Sequence, residues 1–388
     1  MKLLINTESL LPPITGIGTY TLNLLKQYEG HKDFEAIECF SGHRFSTAAQ
    51  AIAGTEVDSG SSKLNKKRGS INHILRGSIL AYRAREKLRN SLLRLKAGKL
   101  KGFVYHEPNF ILKHHRGPAV ATIHDLSFIS HPQHHPAKRV AWLTSELPKT
   151  LERADMLITD SDQVRRELIE LYGVNEKKIR AIHLGAAARY TPQDNVQTKS
   201  IMDRYGLQHG QYLLFVGTLE PRKGVETLVE SWANLPAALK QAFPLVLAGA
   251  PGWGNKILQE RINTLKQAEG LKQLSFVPAS DLPALYAGAG AFVYPSYYEG
   301  FGLPVLEAMS CGVPVICTGD TSMSEITAEH ALHIHAGNIE QLTEQIRHLI
   351  EDETLRNKLS AAGLIRARSF SWEKCAAQTQ EIYRTLAG

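Results

Sequence analysis

The sequence predicts an α/β protein built from two doubly wound parallel sheets, and three observations carry that expectation. Short β-branched or leucine-rich runs alternate with longer amphipathic stretches throughout, the rhythm of a parallel sheet covered by helices. The chain has 388 residues, long for one ordinary domain and comfortable for two. Near its middle, Arg189–Lys199 is polar, carries a proline and lacks periodicity, which marks a boundary.

In the first half the predicted strands are Lys2–Asn6, Phe34–Phe40, Gly102–Tyr105, Ala119–Ile123, Met156–Thr159 and Ile179–His183. In the second half they are Tyr212–Val216, Pro244–Ala248, Leu274–Val277, Ala291–Tyr294, Val313–Cys317 and Ala331–His333. The expected domains are 1–190 and 195–371, and Trp372–Leu386 reads as a closing helix.

Composition is that of a globular protein with sizeable cores, at 43% hydrophobic and 21% charged residues. No apolar run reaches the roughly 18 residues needed to cross a bilayer. The opening MKLLINTESLLPP lacks a signal peptide's long apolar stretch. Cys39, Cys311, Cys317 and Cys375 are scattered without a CxxC pair, which argues against a zinc site or a disulfide framework. The expected location is therefore the cytoplasm.

The net charge of +7 is concentrated in one place. Between Lys63 and Lys101 stand thirteen Lys or Arg residues against one acid, Glu86. Apolar residues from Ile71 to Leu95 recur among them at helical spacing. Such a helix either lies on an anionic membrane surface or covers its own sheet with its charges in water. Nucleic-acid binding is not expected, since no stacking-aromatic motif accompanies the charge.

The most informative segment is Ala291–Cys317. Its strand, Ala291–Tyr294, leads into the polar loop Pro295–Gly302. Pro304 suits the first turn of a following helix, Gly312 its left-handed cap, and Pro314 its stop. Gly300, Phe301 and Gly302 thus precede a helix N-terminus at the carboxyl end of a strand, where amides and the helix dipole favour an anion such as phosphate. Glu299 lies at the loop mouth, and Glu307 about one turn into the helix. A phosphate site flanked by two carboxylates suits a diphosphate with hydroxyl-rich rings at either end, as in a nucleotide-sugar. The alternative is a plain strand–loop–helix joint with solvated glutamates.

EGFGLPVLEAMSCGVPV, with its E-x7-E spacing from Glu299 to Glu307, closely resembles the signature of the family 4 retaining glycosyltransferases of GT-B fold. The resemblance implies two Rossmann-like doubly wound domains facing each other across a cleft, with the donor mainly on the second. It also implies that Glu299 contacts the donor sugar, that the amides of Gly300, Phe301, Gly302 and Leu303 hold sugar and diphosphate, and that Glu307 binds the ribose. The last helix, 372–388, is expected to return to the first domain.

Other motifs fit the same frame. FVGTLEPRKG follows a strand: Gly217 and Thr218 form a tight turn, and Arg222 with Lys223 neutralises a leaving diphosphate, a task a metal would otherwise perform. It resembles the family's G-x(3–4)-R-K-G motif. Gly16 and Gly18 follow the first strand and resemble the family's glycine-rich loop. His124, in IHDL at a strand end, matches a family histidine beside the donor sugar, with Asp125 left to orient it or to bind acceptor. FVPASDL resembles the base-contacting loop, through the backbone of Val277 and Pro278. Asp160-Ser-Asp162 spells a D-x-D, yet it opens a helix, and Ser161 or Asp162 reads as its N-cap rather than part of a metal site.

The expectation is a retaining glycosyltransferase with catalytic His124, Glu299, Arg222 and Lys223 and no required metal or cofactor. GDP-mannose is the first-choice donor, on overall resemblance to bacterial mannosyltransferases of lipopolysaccharide assembly, with UDP-glucose or UDP-GlcNAc behind it. The expected acceptor is a glycan or polyprenyl-linked saccharide, with peripheral contact to anionic membrane through residues 63–101. A nucleotide-sugar epimerase and a non-catalytic glycan-binding protein are the competing classes.

Overall fold

A computed structural model describes residues 1–12, 14–57, 79–96, 98–252 and 256–388. The part of the basic segment that falls in 63–78 lies outside them. The chain divides into two compact units, Met1–Leu184 with Trp372–Gly388, and Gly185–Ser371.

The first unit holds β1 (Lys2–Asn6), β2 (Ala36–Phe40), β3 (Phe45–Thr47), β4 (Phe103–Glu107), β5 (Ala119–Ile123), β6 (Met156–Thr159) and β7 (Ile179–Ala181). Their order is β3-β2-β1-β4-β5-β6-β7, parallel except for β3, which runs antiparallel to β2. β3 was not expected, because a three-residue edge strand is too short to show alternation. The second unit holds β8 (Leu213–Val216), β9 (Leu245–Ala248), β10 (Lys272–Leu274), β11 (Ala291–Tyr294), β12 (Val315–Thr318) and β13 (Leu332–Ile334). Their order is β10-β9-β8-β11-β12-β13, all parallel.

Strands covered on both faces should be largely apolar and buried along their length, and these are. Every residue of β5, β9, β11 and β12 is buried. Phe215, Phe292 and Tyr294 stack along the second sheet, with centroids 5.4 and 5.7 Å apart. One strand departs from its predicted position. The apolar run Leu274–Val277 suggested a strand, but Lys272–Leu274 is the segment that pairs with Val246–Ala248, and Phe276 is exposed beyond it.

Helix Trp372–Ala387 packs on the first sheet's helix Gly16–Tyr28. Tyr28 donates to the Ala376 carbonyl at 3.0 Å, and Tyr383 Oη meets His106 Nδ1 at 2.6 Å. Helix Ile79–Leu95 covers the same unit through buried Leu93 and through Arg89, which pairs with Glu8 and Glu86 at 2.9 and 2.6 Å. Beneath these pairs, Glu107 is fully buried and accepts from Asn6, Tyr105 and Lys113 at 2.7–3.1 Å. Among the described residues no helix is long and apolar enough to cross a membrane.

In each sheet the chain reverses its direction of growth once, between β1 and β4 and between β8 and β11. Loops leaving the carboxyl ends of such strand pairs depart to opposite faces and leave a crevice between them.

Candidate functional site

In the second unit this crevice is built by the loop after β8, Gly217–Gly224, and the loop after β11, Pro295–Gly302. The two are stitched through one carbonyl: Arg222 O accepts from the Tyr297 amide at 2.9 Å and from Ser296 Oγ at 3.1 Å. Gly224 adopts a left-handed backbone, φ 66°, and a Cβ there would lie 2.0 Å from the Pro295 carbonyl oxygen. Only glycine permits that approach.

Glu299, 8% exposed, occupies the centre. Its Oε1 accepts from Lys223 Nζ at 2.6 Å and from Ser296 Oγ at 2.8 Å, while Oε2 lies 3.2 Å from Arg222 Nη1. Lys223 also donates to Tyr294 Oη at 2.7 Å, and Arg222 Nη2 to Glu220 Oε1 at 3.1 Å. Burial opposes charge on Glu299, but the Arg222 and Lys223 cations outweigh it and hold its carboxyl down at about 2. Burial draws the Lys223 ammonium below the usual lysine range, with Arg222 adding to the effect and Glu299 opposing it. The sequence placed Glu299 on the sugar and the two cations on the diphosphate as separate tasks. The structure joins all three in one ion cluster.

The next helix, Leu303–Ser310, starts at Gly302, φ 112°, with Pro304 in its first turn and no side-chain cap. Its positive end is therefore not offset by a capping side chain. Gly300, Phe301 and Leu303 lie on this approach, which Ser322 fixes by donating to the carbonyls of Glu299 at 2.6 Å and Phe301 at 3.2 Å. One turn along, Glu307 lies among Tyr190, Tyr286 and Arg189. Burial pushes its carboxyl up to about 7, with these three neighbours pulling the other way. Gly217 meets the turn after β9, where a Cβ on Gly249 would fall 1.9 Å from the Gly217 carbonyl oxygen. Thr218 is exposed beside it. Val277 and Pro278 sit past the end of β10 in a turn closed by the Asp281 amide on the Pro278 carbonyl at 2.9 Å.

The remaining expected residues belong to the first unit. Gly16 and Gly18 fall inside the first turn of helix Gly16–Tyr28 rather than in a loop before it. Gly18 is sterically required, since a Cβ would lie 2.4 Å from the Ser9 carbonyl oxygen, whereas Gly16 faces open space. His124 is buried just past β5. Its Nδ1 meets Asp160 Oδ2 at 2.7 Å and its Nε2 meets the Pro108 carbonyl at 2.7 Å. Burial opposes charge on the imidazole, but Asp160 and the carbonyl more than offset it and raise its pKa. Asp125 does not orient the ring; it accepts from the Ser127 amide and hydroxyl at 3.0 and 2.7 Å. Ser161 caps the helix Asp162–Tyr172 by accepting from the Val164 amide at 3.3 Å.

Sequence reasoning missed Asp160 as the partner of His124, and Ser296, Tyr294 and Ser322 as supports of the Glu299 cluster. The only signal for Asp160 was that 124 and 160 each follow a strand by one residue, at the same sheet edge.

Residues 198–365 match the glycosyl transferases group 1 family, and residues 14–188 match Glycosyltransferase Family 4. The chain is 35% identical over 386 residues to the O-antigen chain mannosyltransferase B of Escherichia coli, covering all of both chains. It is 30% identical over 235 residues to the Escherichia coli serotype-specific mannosyltransferase WbdA, covering 58% of this chain and 28% of that one. The fold matches HepE of Anabaena, solved with UDP and glucose, at TM-score 0.74 and 18% identity over the whole of both chains. It also matches WaaG, a glycosyltransferase of lipopolysaccharide biosynthesis, at TM-score 0.68 and 17% identity over 99% of each. On the full-length likeness and the two domain matches, the chain belongs to the family 4 glycosyltransferases of GT-B fold.

Proposed function

We propose that the protein transfers mannose from GDP-mannose to a glycan or lipid-linked saccharide acceptor, with retention at the anomeric carbon, in assembly of a bacterial surface polysaccharide. The observation that carries the donor site is the Arg222–Lys223–Glu299 cluster, set beside the uncapped start of helix Leu303–Ser310. The choice of mannose rests on the full-length likeness to the Escherichia coli mannosyltransferase.

In this reading the diphosphate lies on Arg222, Lys223 and the amides of Gly300–Leu303. The two cations stabilise the charge that develops as the sugar leaves, in place of a metal. Thr218 and Gly217 shape the turn on which that diphosphate rests. Glu299 then turns from the cations to a hydroxyl of the donor sugar and positions it. Held at about 2, it stays ionised at neutral pH and accepts hydrogen bonds. Glu307 receives the ribose hydroxyls, the backbone of Val277 and Pro278 the base. His124, with Gly16 and Gly18, is assigned to substrate contact in the first domain, and the departing phosphate takes the acceptor's proton. Exposed Leu88 and Leu95 among the cations of helix Ile79–Leu95 support peripheral contact with an anionic membrane.

The test is product analysis with GDP-mannose, UDP-glucose and UDP-GlcNAc, each with and without a mannosylated lipid-linked acceptor. Acceptor-dependent α-mannoside from GDP-mannose supports the reading. Preference for a UDP donor overturns the sugar assignment, and conversion of UDP-GlcNAc without acceptor would indicate an epimerase.

A further inference from the structure

β5 lies between β4 and β6 in the first sheet. His124 follows β5, and it is gripped from both neighbours. From the β6 side, Asp160 Oδ2 lies 2.7 Å from Nδ1. From the β4 side, the Pro108 carbonyl lies 2.7 Å from Nε2. That carbonyl is aimed by a strained turn: Phe110, two residues on, holds a left-handed backbone at φ 56°, and its amide donates to the Thr122 carbonyl at 3.2 Å. Tyr20 and Phe110 close on the ring edge-to-face, at 5.1 and 6.0 Å.

A carbonyl oxygen can only accept, so Nε2 must carry the hydrogen. Nδ1 then either accepts from a protonated Asp160 or carries a second proton shared with its carboxylate. In both states Nε2 is a donor, and the imidazole has no lone pair there with which to remove a proton. Asp160 is itself 3% exposed, and its other oxygen, Oδ1, is buried without a hydrogen-bond partner. A buried carboxylate with one unsatisfied oxygen is costly, and it persists here with its other oxygen committed to the histidine.

We propose that Asp160 is a positioning residue for the transfer reaction, fixing His124 as a hydrogen-bond donor at Nε2. In the reacting complex that N–H exchanges the Pro108 carbonyl for an oxygen of the reacting saccharide, without taking a proton from it. This extends the glycosyltransferase reading to the first residue of the D-x-D, which stands just before the helix N-cap Ser161. The donor role for His124 itself rests on that reading.

The experiment combines ¹⁵N-histidine NMR with the kinetics of Asp160→Asn and Asp160→Ala. In the unsubstituted protein the His124 Nε2 resonance is expected to be that of a protonated nitrogen across neutral pH. Asp160→Asn can still donate an amide hydrogen to Nδ1, so it should keep the Nε2–H form and most of kcat. Asp160→Ala removes the hold on Nδ1 and leaves the ring held only at Nε2 by the Pro108 carbonyl. The kcat should then fall on the order of 10- to 100-fold with donor KM little changed, the range seen when the partner orienting a metal-bound histidine is lost. An unprotonated Nε2 in the unsubstituted protein overturns the proposal whether or not turnover is detected. Full kcat in a folded Asp160→Ala protein overturns it equally. If Asp160→Ala fails to fold, the Nε2 state of Asp160→Asn decides: loss of the proton contradicts the proposal, and retention supports it. Absence of transfer by the unsubstituted protein with an intact Nε2–H would instead count against the proposed function alone.

Discussion

Lys223 Nζ lies 2.6 Å from Glu299 Oε1, so the lysine assigned to the diphosphate and the glutamate assigned to the sugar are ion-paired with each other. The side chains are 13% and 11% exposed, which makes this a largely desolvated pair with Arg222 as its third member. A diphosphate brings two or more negative charges to the same cations. On the proposed function, ligand binding therefore replaces one counter-charge with another rather than creating a new pairing.

Glu299→Gln keeps the shape and removes the charge. Breaking a buried pair from one side costs about 3–5 kcal/mol, so the variant should melt well below the unsubstituted protein. Saturating GDP should restore more stability to Glu299→Gln than to the unsubstituted protein, because the diphosphate supplies the missing anion. Transfer should drop on the order of 10²- to 10³-fold, comparable to losing one electrostatic contact in a transition state. Parallel thermal melts with and without GDP, together with initial rates, check both parts.

Glu307 gives a pH signature of the opposite sign. Its carboxyl is pushed up from the usual carboxylate range to about 7 by burial, so protons bind the folded state more tightly than the unfolded chain. Its contribution to stability is therefore fully present below the unfolded value near 4.5 and is lost as pH rises through about 7. Ribose hydroxyls need the ionised form as acceptor. Nucleotide affinity should accordingly weaken as pH falls below about 7, approaching tenfold per unit. Calorimetric titration of GDP from pH 8 to pH 5.5 measures this slope, and Glu307→Gln should flatten it.

Gly224→Ala tests the seam between the two loops. The added Cβ would meet the Pro295 carbonyl oxygen at 2.0 Å on a backbone of φ 66°, so clash and conformational strain act together. A loss of about 2–4 kcal/mol is expected from such a backbone conflict. Alanine at Gly16, where nothing lies within 4 Å, should leave stability within about 0.5 kcal/mol. Urea melts of both variants make the comparison.

In the first unit, Lys113→Met leaves Glu107 buried beside Glu8 and Glu86 with less positive charge. Lys113 Nζ is 3.1 Å from Glu107 and within 4.0 Å of the other two. The expected loss is about 3–5 kcal/mol, and Glu107→Gln in the same chain should recover part of it. A double-mutant cycle by chemical denaturation reads the coupling directly.

The alternation of apolar runs made both sheets legible, because strands covered on two faces are mostly apolar along their length. Strand ends were less so: the apolar LSFV run drew the predicted strand past Leu274, although hydrogen bonding stops there. The residues proposed for the donor side could be singled out because Glu299, Arg222 and Lys223 fall within short motifs after strands. Their mutual ion pairing could not, since 76 residues separate Lys223 from Glu299 and only the pairing of β8 with β11 brings them together. Asp160 was hidden for a related reason. A residue before a helix cap has an adequate local explanation, and its bond to His124 exists only across the register of β5 and β6.

The most direct test of the central claim is calorimetric titration of GDP and UDP into the unsubstituted protein and into Lys223→Ala. We expect a nucleoside diphosphate to bind at one site per chain, and Lys223→Ala to weaken it by at least tenfold while the protein remains folded. Equal affinity in both proteins, or binding of neither nucleotide, would contradict a diphosphate site on the Arg222–Lys223–Glu299 cluster.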